Sequence, residues 1–249
     1  GIVLDVFPPS RKKSSLERLA MLAALADANP ATALQLATEQ QPAGVDLATH
    51  ALNRNLDETG MLNEICLLAV ELGGYPLAWI GEARQDEAKS VVPVAASGIA
   101  EDYPSTQVIS WANNPLGQGP TGRAIRDGLP VICRDIRLDP HYETWRTSAI
   151  NHGFNSSCSL PLRVSGKVIG ALNLYSDTVN AFDELEISVL EDLAGEIGFG
   201  ISIQRARTAL ANSEASLNQA QRIARLGHFS FRPGEDYWKS SAILDEIFG

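Results

Sequence analysis

The sequence predicts an α+β fold, and three features of it carry that reading. Helical spacing governs the chain up to about residue 74, and the period then changes from 3.6 to 2. Ser157 to Val164 and Lys167 to Tyr175 read as two strands joined by a two-residue turn. From Asp183 the helical period returns, with no proline before Pro233.

The elements follow in order. Ser14-Ser15-Leu16-Glu17 has the form of a capping box and opens a first helix. Asn29-Pro30 ends that helix and starts a second, which runs to about Gln41. A third helical stretch covers Val45 to Leu56, and Asp57 caps a fourth with Leu62, Ile65, Cys66, Ala69 and Leu72 on one face. Gly73-Gly74 stops it. Leu77 to Gly81 and Ser90 to Ala96 read as strands, followed by a long polar loop over 97–118 with a short strand at Val108-Ile109. A short helix over Thr121–Asp127, a strand at Val131–Cys133 and a helix from His141 to Asn151 come next. The run Val168 to Leu174 is apolar on both faces, as a strand in the middle of a covered sheet requires.

In the last helix, Phe199, Ile203, Ala206, Leu210, Ser213, Leu217, Ala220 and Ala224 alternate steps of four and three. That spacing is a heptad seam, which a parallel homodimer would bury. After Gly227, two short strands flank a turn at Arg232 to Asp236.

Composition excludes several classes. The 249 residues carry a net charge of −10, with one short basic cluster at Arg11-Lys12-Lys13. Nucleic-acid binding rests on basic surfaces, so no nucleic-acid partner is expected. No apolar run reaches the roughly 18 residues that span a bilayer, and the first residues lack a basic region, so neither membrane insertion nor a signal peptide is expected. Gly1 to Pro9 reads as the tail of something upstream. Cys66, Cys133 and Cys158 form no C-x-x-C motif and suit a reducing, cytoplasmic location.

The stretch Cys66 to Ile203 resembles a GAF domain. The residues that carry the resemblance begin with Ala69-Val70-Glu71-Leu72-Gly73-Gly74-Tyr75-Pro76-Leu77-Ala78-Trp79-Ile80-Gly81. They continue through Gly119-Pro120-Thr121-Gly122-Arg123-Ala124, Pro130 to Ile136, Asp139-Pro140, Trp145 and Gly153 to Ser157. Leu160-Pro161-Leu162, Gly170 to Tyr175 and Phe182-Asp183-Glu184 complete the set. It is similar to the subtype found beside PAS domains in bacterial cyclic-di-GMP signalling proteins and histidine kinases. The tail, from Ala220 to Phe229 and again at Trp238 to Ser241, resembles the start of a PAS domain.

The domains expected are therefore an N-terminal helical segment over 1–45, a GAF domain over 46–203, a coiled-coil linker over 204–226 and the beginning of a PAS domain over 227–249. The resemblance implies an antiparallel sheet flanked by helices, with a pocket on one face and a long C-terminal signalling helix. It also implies small-molecule sensing, or ligand-free dimerisation and relay, addressed to an output domain in the same polypeptide. The two readings stay open.

Pocket-side segments implied by the resemblance lie between 97 and 157, with Trp79 as a floor. The candidate ligand-binding residues are Trp79, Trp111, Arg123, Asp135, His141, Trp145 and Ser157. Each has a plainer reading: Trp79 and Trp145 as core packing, His141 and His152 as surface residues, Arg123 on helix-end carbonyls, Asp135 as a turn cap. A covalent bilin needs Cys beside His, and residues 140–153 hold no Cys. Asn180 to Glu184 lacks the Lys of a cyclic-nucleotide signature and reads as a helix cap. The possible metal ligands Cys66, Cys133, His141, His152 and Cys158 have no spacing that forces them together, so no metal is expected and no cofactor is named. Walker, H-E-x-x-H and G-x-S-x-G motifs are absent. The expectation is that the chain is regulatory and not an enzyme; a free-methionine-sulfoxide reductase using Cys133 and Cys158 is the enzymatic alternative.

Overall fold

The computed structural model describes residues 57–224, 229–231 and 238–240. The expected helices before Asp57 lie outside the described residues. The chain divides into two units, one ending at Ser202 and one starting at Ile203.

In the first unit, helix α1 (Glu58–Glu71) is capped by Asp57, whose Oδ1 accepts from the Gly60 N–H at 2.8 Å. Gly74, at a positive φ of 71°, carries the chain out of the helix. Five strands follow: β1 (Leu77–Ala83), β2 (Val91–Gly98), β3 (Val131–Cys133), β4 (Ser156–Val164) and β5 (Lys167–Ser176). They form one sheet in the order β2-β1-β5-β4-β3, with every neighbouring pair antiparallel. The β4–β5 turn puts Ser165 at φ 49° and Gly166 at φ 77°, the two positive values that a two-residue primed turn needs.

Alternation gives the sheet two distinct faces. One carries Ala78, Ile80, Cys158, Leu160, Leu162, Leu172 and Leu174. It is covered by α1 and by the start of helix α4 (Glu184–Ile223), through Leu190, Leu193, Ala194 and Ile197. Asp183 caps α4, accepting from the Glu186 N–H at 2.8 Å, and the Tyr75 hydroxyl donates to Glu186 at 2.6 Å. The other face carries Leu77, Trp79, Ala171 and Tyr175, and lies under loops and two short helices, α2 (Pro120–Asp127) and α3 (Arg146–Asn151).

Two expectations differ from the structure. The helix read from His141 to Asn151 is a 3-10 turn at Pro140–Tyr142 followed by α3. The break has a tertiary cause: the Arg146 guanidinium donates to the carbonyls of Ile136 and Asp139, pinning the start of α3 to the loop before it. The strand read at Val108-Ile109 is an isolated bridge between Ser90 and Ser110.

The second unit holds the rest of α4 and an antiparallel pair, β6 (Phe229–Phe231) and β7 (Trp238–Ser240). No described helix is long and apolar enough to cross a membrane.

Candidate functional site

The loop-covered face carries polar side chains where the helix-covered face carries leucines. Pairing places Leu77, Tyr175, Ser157 and Cys133 in one row across four strands, with Trp79, Asn173 and Ser159 in the next. Asn173, buried, gathers this second row. Its Oδ1 accepts from Ser159 at 2.7 Å and from Thr121 of α2 at 2.8 Å.

Above Tyr175 a cavity opens between the sheet and its cover. Its enclosed space is about 20 Å³, room for a single water molecule, so a larger ligand enters only if the cover moves. Tyr103, Tyr142, Trp145 and Tyr175 supply its aromatic walls, and Gln107 and Thr121 its other polar lining. Two ring pairs stand nearly perpendicular: Tyr103 against Tyr175 at 79° and Tyr142 against Trp145 at 80°. The Tyr142 hydroxyl donates to that of Tyr175 at 3.2 Å. The backbone is shaped to admit these rings. A Cβ on Gly119 would stand 2.4 Å from the Trp145 ring, and one on Gly122 would stand 2.3 Å from the Ser110 carbonyl oxygen. The Gly-Pro-Thr-Gly segment thus brings α2 against both its neighbours.

Beneath the cavity's tyrosines, and outside its lining, two buried polar atoms lack a hydrogen bond of normal geometry: the indole N–H of Trp79 and the hydroxyl of Ser157. Both act on the tyrosine cluster, Trp79 on the Tyr175 hydroxyl and Ser157 on that of Tyr142. Burial is the first cause that raises the tyrosine hydroxyls of Tyr103, Tyr142 and Tyr175 above their ordinary values. Burial likewise pushes the thiols of Cys66, Cys133 and Cys158 up to about 12, so all three are protonated at neutral pH. Cys133 belongs to the cavity-side core, and Cys158 points to the opposite face. Among the described residues no group of three His, Cys, Asp or Glu side chains converges to hold a metal.

Of the seven residues expected at a ligand site, the structure gathers three around this cavity. Trp145 lines it, and Trp79 and Ser157 lie beneath its tyrosines. The other four stand apart. Trp111 is half-buried, donates to the Arg84 carbonyl at 2.8 Å, and has the Lys89 ammonium 4.5 Å above its ring. Asp135 is bonded to Arg137 in its own turn at 2.8 Å, and that guanidinium lowers its carboxyl. His141 is exposed. Arg123 does not line the cavity, and the capping of loop carbonyls expected of it belongs to Arg126, which donates to Ala112 and Gly117. Sequence reasoning missed Tyr103, Tyr142, Thr121, Asn173 and Tyr175. The one available signal was Asn173, a polar residue inside an apolar strand.

Residues 55–202, well over half of the chain, match the family model described as the GAF domain. The chain belongs to the GAF family. The GAF domain is 31% identical over 80 residues to the protein YtsP of Bacillus subtilis, a match spanning 32% of this chain and 46% of YtsP. It is similar in fold to the GAF domain from a Coxiella burnetii phosphoenolpyruvate-protein phosphotransferase. That likeness has a TM-score of 0.54 at 15% identity and covers 79% of this chain and 99% of that one. It is also similar to the free methionine-R-sulfoxide reductase of Neisseria meningitidis in complex with its substrate, with a TM-score of 0.53 at 19% identity. Here 67% of this chain and 97% of that one are covered.

This last likeness corrects the expectation that the chain is not an enzyme. The GAF fold serves an enzyme as well as regulators, so the fold gives no ground for excluding catalysis. The motifs whose absence suggested otherwise belong to other architectures and could not test it.

Proposed function

We propose that this GAF domain binds a small molecule in the cavity over Tyr175, and that occupancy is relayed along α4 to an output domain in the same polypeptide. The carrying observation is the cavity itself, where Tyr103, Tyr142, Trp145 and Tyr175 gather with the polar side chains of Gln107 and Thr121 on the loop-covered face of the sheet. The cavity walls come from elements that also touch the sheet, so filling it changes the packing of α2 and the loop before α3. The output, cyclic-di-GMP turnover or a kinase, follows from the sequence resemblance alone.

The relay needs a partner for the exposed apolar positions of α4. Phe199, Leu210 and Leu217 are each about three-fifths exposed, at 63%, 61% and 59%. Their four-three spacing suits a second copy of the helix. Native mass spectrometry before and after mild denaturation tests both parts. A dimer carrying a small mass that denaturation releases supports the proposal, whereas a bare monomer at micromolar concentration contradicts both. Leu210→Glu with Leu217→Glu is expected to convert dimer to monomer.

A second reading is thiol chemistry at Cys133, favoured by that side chain's place in the cavity-side core. Oxygen transfer from a sulfoxide to this thiol yields a thioether and a sulfenic acid. Incubation with free methionine-R-sulfoxide and a reducing thiol, compared between the wild type and Cys133→Ser, decides it. Turnover that survives the substitution excludes Cys133.

A further inference from the structure

We propose that Arg163 is the positioning residue that links the cavity's cover to α4; this rests on the relay reading above and names the residue that carries it.

Helix α2 has one end at the cavity and the other at Arg163. Gly119, Pro120 and Thr121 line the cavity, and the Thr121 hydroxyl donates to Asn173 of β5 at 2.8 Å. At the far end Gly128 closes the eight-residue helix in the left-handed region, at φ 67°. There the Arg163 guanidinium donates to the Gly128 carbonyl at 2.7 Å. A cation that donates to the last carbonyls of a helix also meets the negative end of its dipole. The fit is close, since a Cβ on Gly128 would stand 2.5 Å from that guanidinium. Helix α2 is about 12 Å long and bonded internally, so a shift at Thr121 is carried to Gly128.

Arg163 meets α4 with its backbone. A Cβ on Gly198 would stand 2.1 Å from the Arg163 carbonyl oxygen, so a side chain there would push helix and strand apart. Three features of β4 let one residue serve both faces. Alternation puts the Arg163 side chain with Ser157 and Ser159, toward the loops and away from the leucines that pack on α4. The pairing of β4 with β5 shifts register between Leu162 and Arg163, and such a bulge bends the strand locally. β3 pairs with Ser157, Cys158 and Ser159 alone, so among the described strands none lies beyond β4 at Arg163. The side chain thus holds α2 on one face of the sheet while the carbonyl seats α4 on the other.

A cap that only stabilised α2 would affect α2 and leave α4 alone. Hydrogen exchange of the full chain, read by mass spectrometry, separates the two roles. Thr121→Val removes the hydroxyl that ties α2 to Asn173 and stands in for a disturbance at the cavity, so no ligand is added. Exchange is scaled to that of β5 (Lys167–Ser176), which reports global unfolding. Thr121→Val is expected to speed exchange in α2 and, by about three- to tenfold, in residues 195–201 of α4. Arg163→Met keeps the aliphatic stem and loses the donor. In that background Thr121→Val should still loosen α2 but change residues 195–201 by less than about twofold. Arg163→Lys keeps a donor and should restore part of the response. If Arg163→Met unfolds below the working temperature, Arg163→Leu takes its place. An equal response of residues 195–201 with and without the guanidinium overturns the proposal. So does the lack of any response there with Arg163 intact, or an α2 that ignores Thr121→Val. Each of these outcomes leaves the ligand-binding reading to the mass-spectrometric test of the dimer and its bound mass.

Discussion

The two faces of the sheet are built from the same strands and differ in almost every physical respect. Toward α1 and α4 the side chains are aliphatic: Leu172 sits between Ile80 and Leu160, and Leu174 between Ala78 and Cys158. Toward the loops, one residue along each strand, Asn173 sits between Trp79 and Ser159, and Tyr175 between Leu77 and Ser157. The first face is covered by long regular helices that are themselves internally bonded. The second is covered by irregular chain whose backbone groups need partners, and the buried polar side chains of the floor hold part of that cover through Thr121. The aliphatic core lies on one side of β5 and the cavity on the other, so substitutions at adjacent positions should separate their contributions.

The largest effect is expected at Leu172→Ala. The residue is fully buried against both neighbouring strands and the helices. Truncation there should cost about 2–5 kcal/mol, the range for a leucine cavity that relaxes only in part. Urea unfolding measures it, and a loss under 1 kcal/mol would show that the helix side is not the stabilising one. Asn173→Ala, one residue on, removes the acceptor of two buried hydroxyls, Thr121 and Ser159, at an expected cost of about 1–3 kcal/mol. It should also loosen α2, seen as faster hydrogen exchange in Pro120–Asp127. Equal protection of α2 in both proteins would mean that Asn173 is only packing.

A pH series sharpens the same contrast. Cys66 and Cys158 are buried on the helix side, Cys133 on the cavity side, and burial pushes each thiol from 9.0 to about 12. A group whose folded value is raised contributes stability that is complete below its unfolded value and is lost as pH climbs towards the folded one. Stability should therefore hold to about pH 8 and fall between 9 and 12, each thiol adding a slope of up to about 1.4 kcal/mol per pH unit. The buried tyrosines act in the same direction, beginning near their ordinary value of 10.0. Cys158→Ser removes one of these slopes, so unfolding midpoints of this variant and the wild type should converge as pH rises from 8 to 10. Parallel curves would place the Cys158 thiol in contact with water.

How much of this was legible in the sequence follows from which parts are periodic. The strands β3, β4 and β5 and the cap residues Asp57 and Asp183 were readable because alternation and capping are local chemistry. Membership of the helix-side core was readable for the same reason in α1, where Leu62, Cys66 and Ala69 recur on one face. The cavity was much less so. Tyr103 and Tyr142 come from loops with no period, and only tertiary packing brings them to Tyr175. Alternation along β4 puts Cys158 with the leucines and Ser157 and Ser159 on the loop-covered face. The charged residues Arg123 and Asp135 drew attention by chemistry alone. Asp135 is held in its own turn by Arg137, neither residue lines the cavity, and the lining carries no charged side chain.

The smallest effect is expected at the turn that sets both faces at once. Val164 pairs with Lys167 across Ser165-Gly166, and that two-residue connection fixes which residues of β5 point to which side. A slip of one residue would exchange Leu172 and Leu174 with Asn173 and Tyr175. Gly166 has φ 77°, and a Cβ there meets nothing within 4 Å, so Gly166→Ala is strained in its backbone and not in its surroundings. The expected loss is about 1 kcal/mol, the cost of holding an L-residue in the left-handed region. Because the strain lies outside both faces, urea unfolding should shift while the hydrogen-exchange protection of Pro120–Asp127, beside the cavity, stays as in the wild type. A loss of that protection larger than the loss of stability would mean that the register itself has moved, and that the division between the two faces depends on this turn.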